Sequence, residues 1–159
     1  MKKKISFALF AIPVVFVLPL LALGSLPAPQ GFSAAVVGND IQTSWEPVIL
    51  PGTESDPVFA MKYSVNIVVE YDIKGERISV DFDFGTSDRT DGYSMSDPWL
   101  SIPLDELTLD IDDGMIPVGE LPDLVSLQAR VKALNPGKMK GNQDNPFSPL
   151  VSVAGLDMP

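Results

Sequence analysis

The most regular pattern in the sequence is an alternation of apolar and polar residues that extends, through one turn, from residue 61 to residue 84. The apolar residues of its first half occupy the odd positions Met61, Tyr63, Val65, Ile67, Val69, Tyr71 and Ile73, with mostly polar residues between them. After Lys74 and Gly75, the apolar residues occupy the even positions Ile78, Val80, Phe82 and Phe84. A period of two residues is typical of a β-strand with one buried face. The pattern therefore predicts two consecutive strands joined by a tight turn.

The charges near this turn predict the register of the hairpin. If Asp72 faces Arg77, opposite charges lie across the two strands. The same register brings the apolar residues of both strands to one face, and a slip by one residue would move the whole set to the other face. The predicted buried face consists of Val65, Ile67, Val69, Tyr71, Ile78, Val80, Phe82 and Phe84. We expect replacement of Ile67 or Phe82 by alanine to destabilise the protein by about 2–5 kcal/mol.

Shorter patterns predict further strands elsewhere in the chain. Alternation is clear at residues 107–111 and 125–133, and weaker candidates lie at 32–37, 41–45, 48–50 and 150–156. The chain contains 15 prolines, which outside residues 58–97 recur often enough to disfavour long helices. Many short strands with Pro, Gly and Asp between them predict an all-β fold, an antiparallel β-sandwich of jelly-roll or immunoglobulin-like topology.

The N-terminal residues have the pattern of an export signal. Three lysines follow Met1, and residues 5–23 contain no charged side chain. This run lies between the length of a signal-peptide core and that of a spanning helix, so cleavage and a retained membrane anchor both stay open. Small residues permit cleavage before Ser25, or before Val36. The predicted organisation is a signal peptide or anchor at 1–24, a flexible linker at 25–31 and a β-sandwich domain at 32–159. We expect a secreted or cell-surface protein, attached to a membrane through residues 5–24 if the signal is not cleaved.

Composition excludes several classes of chemistry. The 159 residues include no histidine and no cysteine, so imidazole bases, thiolate nucleophiles, disulfides and His- or Cys-ligated metals are absent. The net charge is −10, and removing residues 1–24 takes away three of 11 basic residues and none of 21 acidic ones, which leaves −13. Such a surface repels nucleic acids and anionic lipids. No phosphate-binding glycine loop or nucleophile elbow occurs.

Two acidic stretches are candidate calcium sites. Their carboxylates are Asp88, Asp91 and Asp97 in the first, and Asp110, Asp112 and Asp113 in the second. Calcium prefers oxygen ligands of this kind, but neither stretch has the spacing of an EF-hand loop. Asp and Gly are also ordinary turn residues. We expect no tight calcium site, and no other cofactor.

Glycoside hydrolysis needs only two carboxylates and a sugar-binding groove. The visible pairs, Asp81 with Asp83 and Asp110 with Asp112, are two residues apart and are predicted to lie on solvated strand faces. Of the two tryptophans, Trp99 lies beside an acidic stretch and is a candidate sugar platform, with core packing as the alternative. We therefore expect no enzymatic activity.

Elimination favours an exported, non-catalytic β-sandwich that acts as a structural or interaction subunit of an envelope, adhesive or filament. The alternative is a calcium- or carbohydrate-binding β-sandwich module. The expected partners are proteins, including copies of the chain itself. Residues 32–37 are uncharged and β-prone, so our hypothesis is that, if cleavage occurs before Ser25, they can add as a strand to an adjacent copy. The alternative is an ordinary first strand or a tether to a retained anchor.

Overall fold

The structure is a computed structural model that describes residues 25–86, 94–111, 114–121, 123–134 and 145–156. These residues form β-strands in antiparallel sheets with almost no helix, which confirms the predicted all-β class. The strands are β1 (Ser33–Val37), β2 (Asp40–Ser44), β3 (Lys62–Ile73), β4 (Glu76–Gly85), β5 (Trp99–Pro103), β6 (Thr108–Ile111), β7 (Gly114–Pro117), β8 (Leu124–Leu134) and β9 (Val151–Ser152). Single turns of 3-10 helix occur at Leu104–Glu106 and Val118–Glu120.

The strands form two larger sheets and one small hairpin. The first sheet has the order β4-β3-β8-β9, the second has the order β1-β2-β5, and β6 pairs with β7. Every strand pair within the sheets is antiparallel. One continuous hydrophobic core includes buried residues from both larger sheets, among them Ile41, Leu100, Ile67 and Val131.

The β3–β4 hairpin has the register that the sequence predicts. Asp72 faces Arg77, and the ladder continues without a shift to the pair Ser64 and Gly85. The connection is Lys74-Gly75, where both residues have positive φ angles, 54° and 82°. Positive φ at both central positions defines the type I′ turn, whose twist matches that of the flanking strands.

The two strands of this hairpin share a face but differ in burial. Val65, Ile67, Val69 and Tyr71 of β3 are buried, as predicted. The opposed residues of β4 are only half-buried: Ile78, Val80, Phe82 and Phe84. The reason is position, because β3 lies between β4 and β8 whereas β4 is the outermost strand of its sheet.

Residues 145–154 connect the two larger sheets. Ser148 exchanges hydrogen bonds with Val131 of β8, and β9 continues this pairing at Ala129. Beyond β9, Ala154 forms a parallel bridge with Ala35 of β1. The order β4-β3-β8-β9 is therefore continued, through this segment, by β1-β2-β5.

The weaker strand predictions have mixed outcomes. Strands do form within 32–37, at 40–44 and at 151–152, whereas residues 48–50 contribute one isolated bridge, between Ile49 and Phe59. Strands β5 and β7 were not predicted. Both end at a proline, Pro103 and Pro117, and neither has a strict alternation of apolar and polar residues.

Residues 25–31 do not behave as the free linker that the sequence suggests. The Leu26 side chain is buried in the core, and its N–H donates to Asn145 Oδ1 over 3.0 Å. The Glu46 N–H donates to the Gln30 carbonyl over 2.8 Å. An apolar side chain in a Pro-rich stretch is enough to attach that stretch to the core.

The described residues include no helix of the length and apolarity needed to cross a membrane. The predicted signal or anchor at 1–24 lies outside the described residues.

Candidate functional site

The structure describes two of the six candidate calcium ligands. Asp97 is exposed, and its N–H donates to the Ser94 carbonyl over 3.3 Å. Asp110 is exposed on β6, opposite Met115. The other four candidates lie outside the described residues: Asp88, Asp91, Asp112 and Asp113. Within the described ranges, no three acidic side chains come together in a group that could hold a metal ion.

The two tryptophans occupy different environments. Trp45 is 4% exposed, and its ring packs against Phe32 and Tyr63 with centroid distances of 6.2 and 5.1 Å. Trp99 is 38% exposed on the outer face of β5, in the same row as Ser44 and Ser33. A shallow groove of about 470 Å³ runs beside Trp99 over small and polar side chains.

The outer face of the β4-β3-β8 sheet carries a polar network. Asn66 is 3% exposed although it points away from the core. Its Nδ2 donates to Asp83 Oδ1 over 3.2 Å, and its Oδ1 accepts from Arg130 Nε over 2.8 Å. The Arg130 guanidinium and the Lys132 ammonium both lie over the Phe147 ring, at 4.2 and 4.6 Å from its centroid. The only sequence signal for this network is an amide side chain in the middle of an apolar strand.

The direction of one hydrogen bond shows which backbone groups of β4 point away from β3. The Asp72 N–H donates to the Asp123 carbonyl over 3.0 Å, so the backbone of Asp72 points away from β4. In an antiparallel ladder, opposed residues both point toward each other or both point away, and successive residues alternate. Arg77 faces Asp72, so its N–H and C=O point away from β3.

The same rule extends along the whole strand, because the β3–β4 register has no shift. The backbone groups of Arg77, Ser79, Asp81 and Asp83 all point outward from the sheet. No strand of the described ranges pairs with this edge. It is therefore a row of outward-facing backbone donors and acceptors, spaced two residues apart.

Sheet edges usually carry features that prevent pairing with another chain, such as proline, lysine, a bulge or short length. Strand β4 has ten residues, with neither proline nor lysine and no bulge against β3. Its protection consists of three charged side chains on the outer face: Arg77, Asp81 and Asp83. Arg77 is held by Asp72, whose carboxylate accepts from Nε over 3.1 Å and raises the pKa of the guanidinium. An edge of this kind accepts an added strand.

Comparison with protein-family models, with curated proteins and with solved structures finds no match to this chain. The edge of β4, which we call the β4 edge, and the groove beside Trp99 are therefore interpreted from their own geometry.

Proposed function

We propose that the protein is an exported, non-catalytic β-sandwich that acts at the cell surface or outside the cell as a structural or interaction subunit. In this proposal, a protein partner contributes a strand to the β4 edge. The protein uses no cofactor in this role, and its contribution is a fixed surface rather than a reacting group.

Two observations support the sandwich and the location. The two larger sheets share one hydrophobic core, which supports a two-sheet sandwich. The N-terminal lysines and the apolar run at 5–23 favour export, and the acidic surface favours solubility outside the cell.

The observation that carries the interaction role is the β4 edge itself. Its four outward residues, Arg77, Ser79, Asp81 and Asp83, offer backbone hydrogen bonds along a strand without a bulge against β3. The apolar row on the inner face of the same strand is half-buried, so an added strand would cover it further. Strand addition thus satisfies backbone groups and apolar surface together.

Photo-crosslinking of the full chain in the cells that produce it tests this role. Benzoylphenylalanine at position 79 lies on the β4 edge, and the same residue at position 42 lies on the exposed face of β2 as a matched control. We expect a protein adduct from position 79 and little from position 42.

A second substitution shows whether the adduct depends on strand pairing. Asp81→Pro removes an outward N–H and leaves the hydrogen bonds between β3 and β4 in place, whereas Asp81→Asn keeps the N–H. The adduct should disappear in the proline variant and remain in the asparagine variant. Equal adducts at positions 79 and 42, or an adduct that survives Asp81→Pro, would contradict the proposal.

Carbohydrate binding is a second candidate, favoured by the groove beside Trp99. An exposed indole next to hydroxyl and amide side chains can stack on a sugar ring while Ser44 and Gln42 hydrogen-bond its hydroxyls. Titration of the full chain with neutral oligosaccharides, followed by tryptophan fluorescence, tests this. A saturable change that is lost in Trp99→Ala supports the candidate, and no change with any oligosaccharide removes it.

A further inference from the structure

The β4 edge is complementary to itself, and this identifies its partner. We propose that the strand added to β4 is β4 of a second copy of the chain, antiparallel, with a two-fold axis at Val80. This inference rests on the proposed function and specifies the partner and the register. The two four-stranded sheets would then form one continuous sheet across the axis.

The charges along the outward residues favour this register. With Val80 facing Val80 of the second copy, Arg77 faces Asp83, and Ser79 faces Asp81. Because the axis is two-fold, the Arg77 and Asp83 contact occurs twice. Opposite charges directly across a strand pair stabilise it, and like charges destabilise it. The register also overlaps residues 76–84, and no axis at another residue of β4 gives a longer overlap.

The neighbouring registers are less favourable. An axis at Asp81 places two carboxylates opposite each other, and an axis at Phe82 makes Asp81 face Asp83 twice. An axis at Ser79 keeps an opposite-charge pair, Arg77 with Asp81, but it shortens the overlap to residues 76–82, so that Asp83 and Phe84 stay outside the pair. The register at Val80 combines charge pairing with three consecutive apolar pairs on the inner face, flanked at each end by Glu76 facing Phe84.

That apolar row lies on the inner face, where β4 is half-buried in the single chain. In the proposed pair, Ile78 faces Phe82 and Val80 faces its own copy. Each side chain gains a neighbour on the side that β3 does not cover, which removes apolar surface from water. A second copy therefore supplies to β4 what β8 supplies to β3.

The N-terminal segment does not compete for this role. Residues 32–37 were considered from the sequence as a strand that leaves its domain, but β1 pairs with β2 on one side and with Ala154 on the other. The β1 side chain of Ala34 is buried in the core. Donation of β1 to a second copy would break both pairings, whereas pairing at β4 breaks none of the pairings between the described strands.

Disulfide trapping tests the register, since the chain contains no cysteine. In the proposed register, the Cα atoms of the two copies of residue 80 form a pair without backbone hydrogen bonds, about 4.5 Å apart. This distance suits a disulfide, whereas Cα atoms more than about 7 Å apart cannot be bridged without backbone movement. Full chains in mild detergent, each carrying one of Ser79→Cys, Val80→Cys, Asp81→Cys or Phe82→Cys, report the four registers separately.

We expect Val80→Cys to cross-link at least tenfold faster than the other three and than Gln42→Cys, the exposed control on β2. Faster linking at position 79, 81 or 82 would show that the register is wrong. Linking at all four positions no faster than at position 42 would show that β4 does not pair with itself. The photo-crosslink at position 79 then decides the proposed function separately, because a persistent adduct identifies a different partner at the same edge.

A charge-exchange experiment provides an independent test by sedimentation of the full chain. Arg77→Asp alone places two carboxylate pairs across the axis, and Asp83→Arg alone places two guanidinium pairs there. Each variant alone should associate about tenfold more weakly than the unchanged chain, and an equal mixture should recover association because both contacts become opposite in charge. Association that is equal in all samples, or a mixture that stays monomeric, would overturn the proposal.

Discussion

Strands β3 and β4 belong to one hairpin with one alternation, yet only β3 is buried. Its inner residue Ile67 is 0% exposed, and even Asn66 and Val68 on its outer face are buried. No residue of β4 reaches that state. The difference is that, among the strands that the structure describes, β3 has a neighbour on both sides and β4 has one on a single side. Burial in a sheet therefore depends on the number of neighbours as much as on the pattern of residues.

The largest expected effect compares two residues that face each other across the hairpin. Ile67→Ala should lower the free energy of unfolding by about 2–5 kcal/mol, the range for a fully buried large side chain. Phe82→Ala should lower it by less, about 1–3 kcal/mol, because Phe82 is half-buried. Urea unfolding at low protein concentration measures both values.

Equal losses at the two positions would show that β4 is covered in solution as fully as β3. If the loss at Phe82 grows with protein concentration while that at Ile67 does not, the covering comes from a second copy.

The next effect compares the outer faces of the same strands. Asn66→Ala should cost about 1–3 kcal/mol, because it removes a buried amide and leaves Arg130 Nε without its 2.8 Å acceptor in a partly buried setting. Ser79→Ala, on the exposed outer face of β4, should change stability by less than about 0.5 kcal/mol. Thermal unfolding of both variants checks this contrast, and a cost at Ser79 matching that at Asn66 would contradict it.

A smaller, pH-dependent effect arises from Tyr63 at the start of β3. Burial raises the pKa of its hydroxyl, and the Val48 N–H, which donates to it over 2.8 Å, only partly offsets this. The unfolded chain loses this proton at about pH 10, whereas the folded chain still holds it. The contribution to stability is therefore complete below about pH 10 and is lost as the pH rises further.

Urea unfolding of the unchanged chain and of Tyr63→Phe at several alkaline pH values tests this. The difference in stability between the two should shrink as the pH rises above about 10, and a difference that stays constant would refute the assignment.

The smallest expected effect is at the ion pair between Asp72 and Arg77. Both side chains are about half exposed, with Nε and Oδ1 3.1 Å apart. Exposed pairs contribute about 0.2–1 kcal/mol, and salt screens them. Arg77→Ala should therefore cost no more than this in dilute buffer and almost nothing in molar salt. A larger, salt-insensitive cost would mean that Arg77 contacts more than Asp72.

The hairpin register could be predicted from the sequence because local chemistry specifies it twice. The two-residue turn at Lys74-Gly75 and the charge pair that follows both require the same alignment. The half-burial of β4 could not be predicted in this way, because an alternating strand has the same pattern at the edge and in the centre of a sheet. Knowledge of the neighbours comes only from residues far along the chain, in β8.

In the candidate site, too, the local pattern could be predicted from the sequence and the contacts with distant segments could not. The alternation predicts that Asp81 and Asp83 face outward, but it does not reveal that no described strand pairs with the far side of β4. The alternation does not predict the burial of Asn66, because its partner Arg130, and Phe147 below the Arg130 guanidinium, lie on other segments. Leu26 was assigned to a linker because a Pro-rich composition is typical of linkers, and its place in the core depends on a tertiary contact with Asn145.

The connection made by residues 145–154 has a consequence for the order of events during synthesis. The turn between β3 and β4 has two residues, so this hairpin can form early. The Leu26 amide can form its hydrogen bond only after Asn145 is made, 119 positions further along the chain. Closing so long a loop is slow. Until residue 154 leaves the ribosome, or the far side of an export channel, β1 lacks one of its two neighbours. The N-terminal part of the domain therefore lacks these contacts during most of synthesis, which leaves it unfolded enough to pass through an export channel.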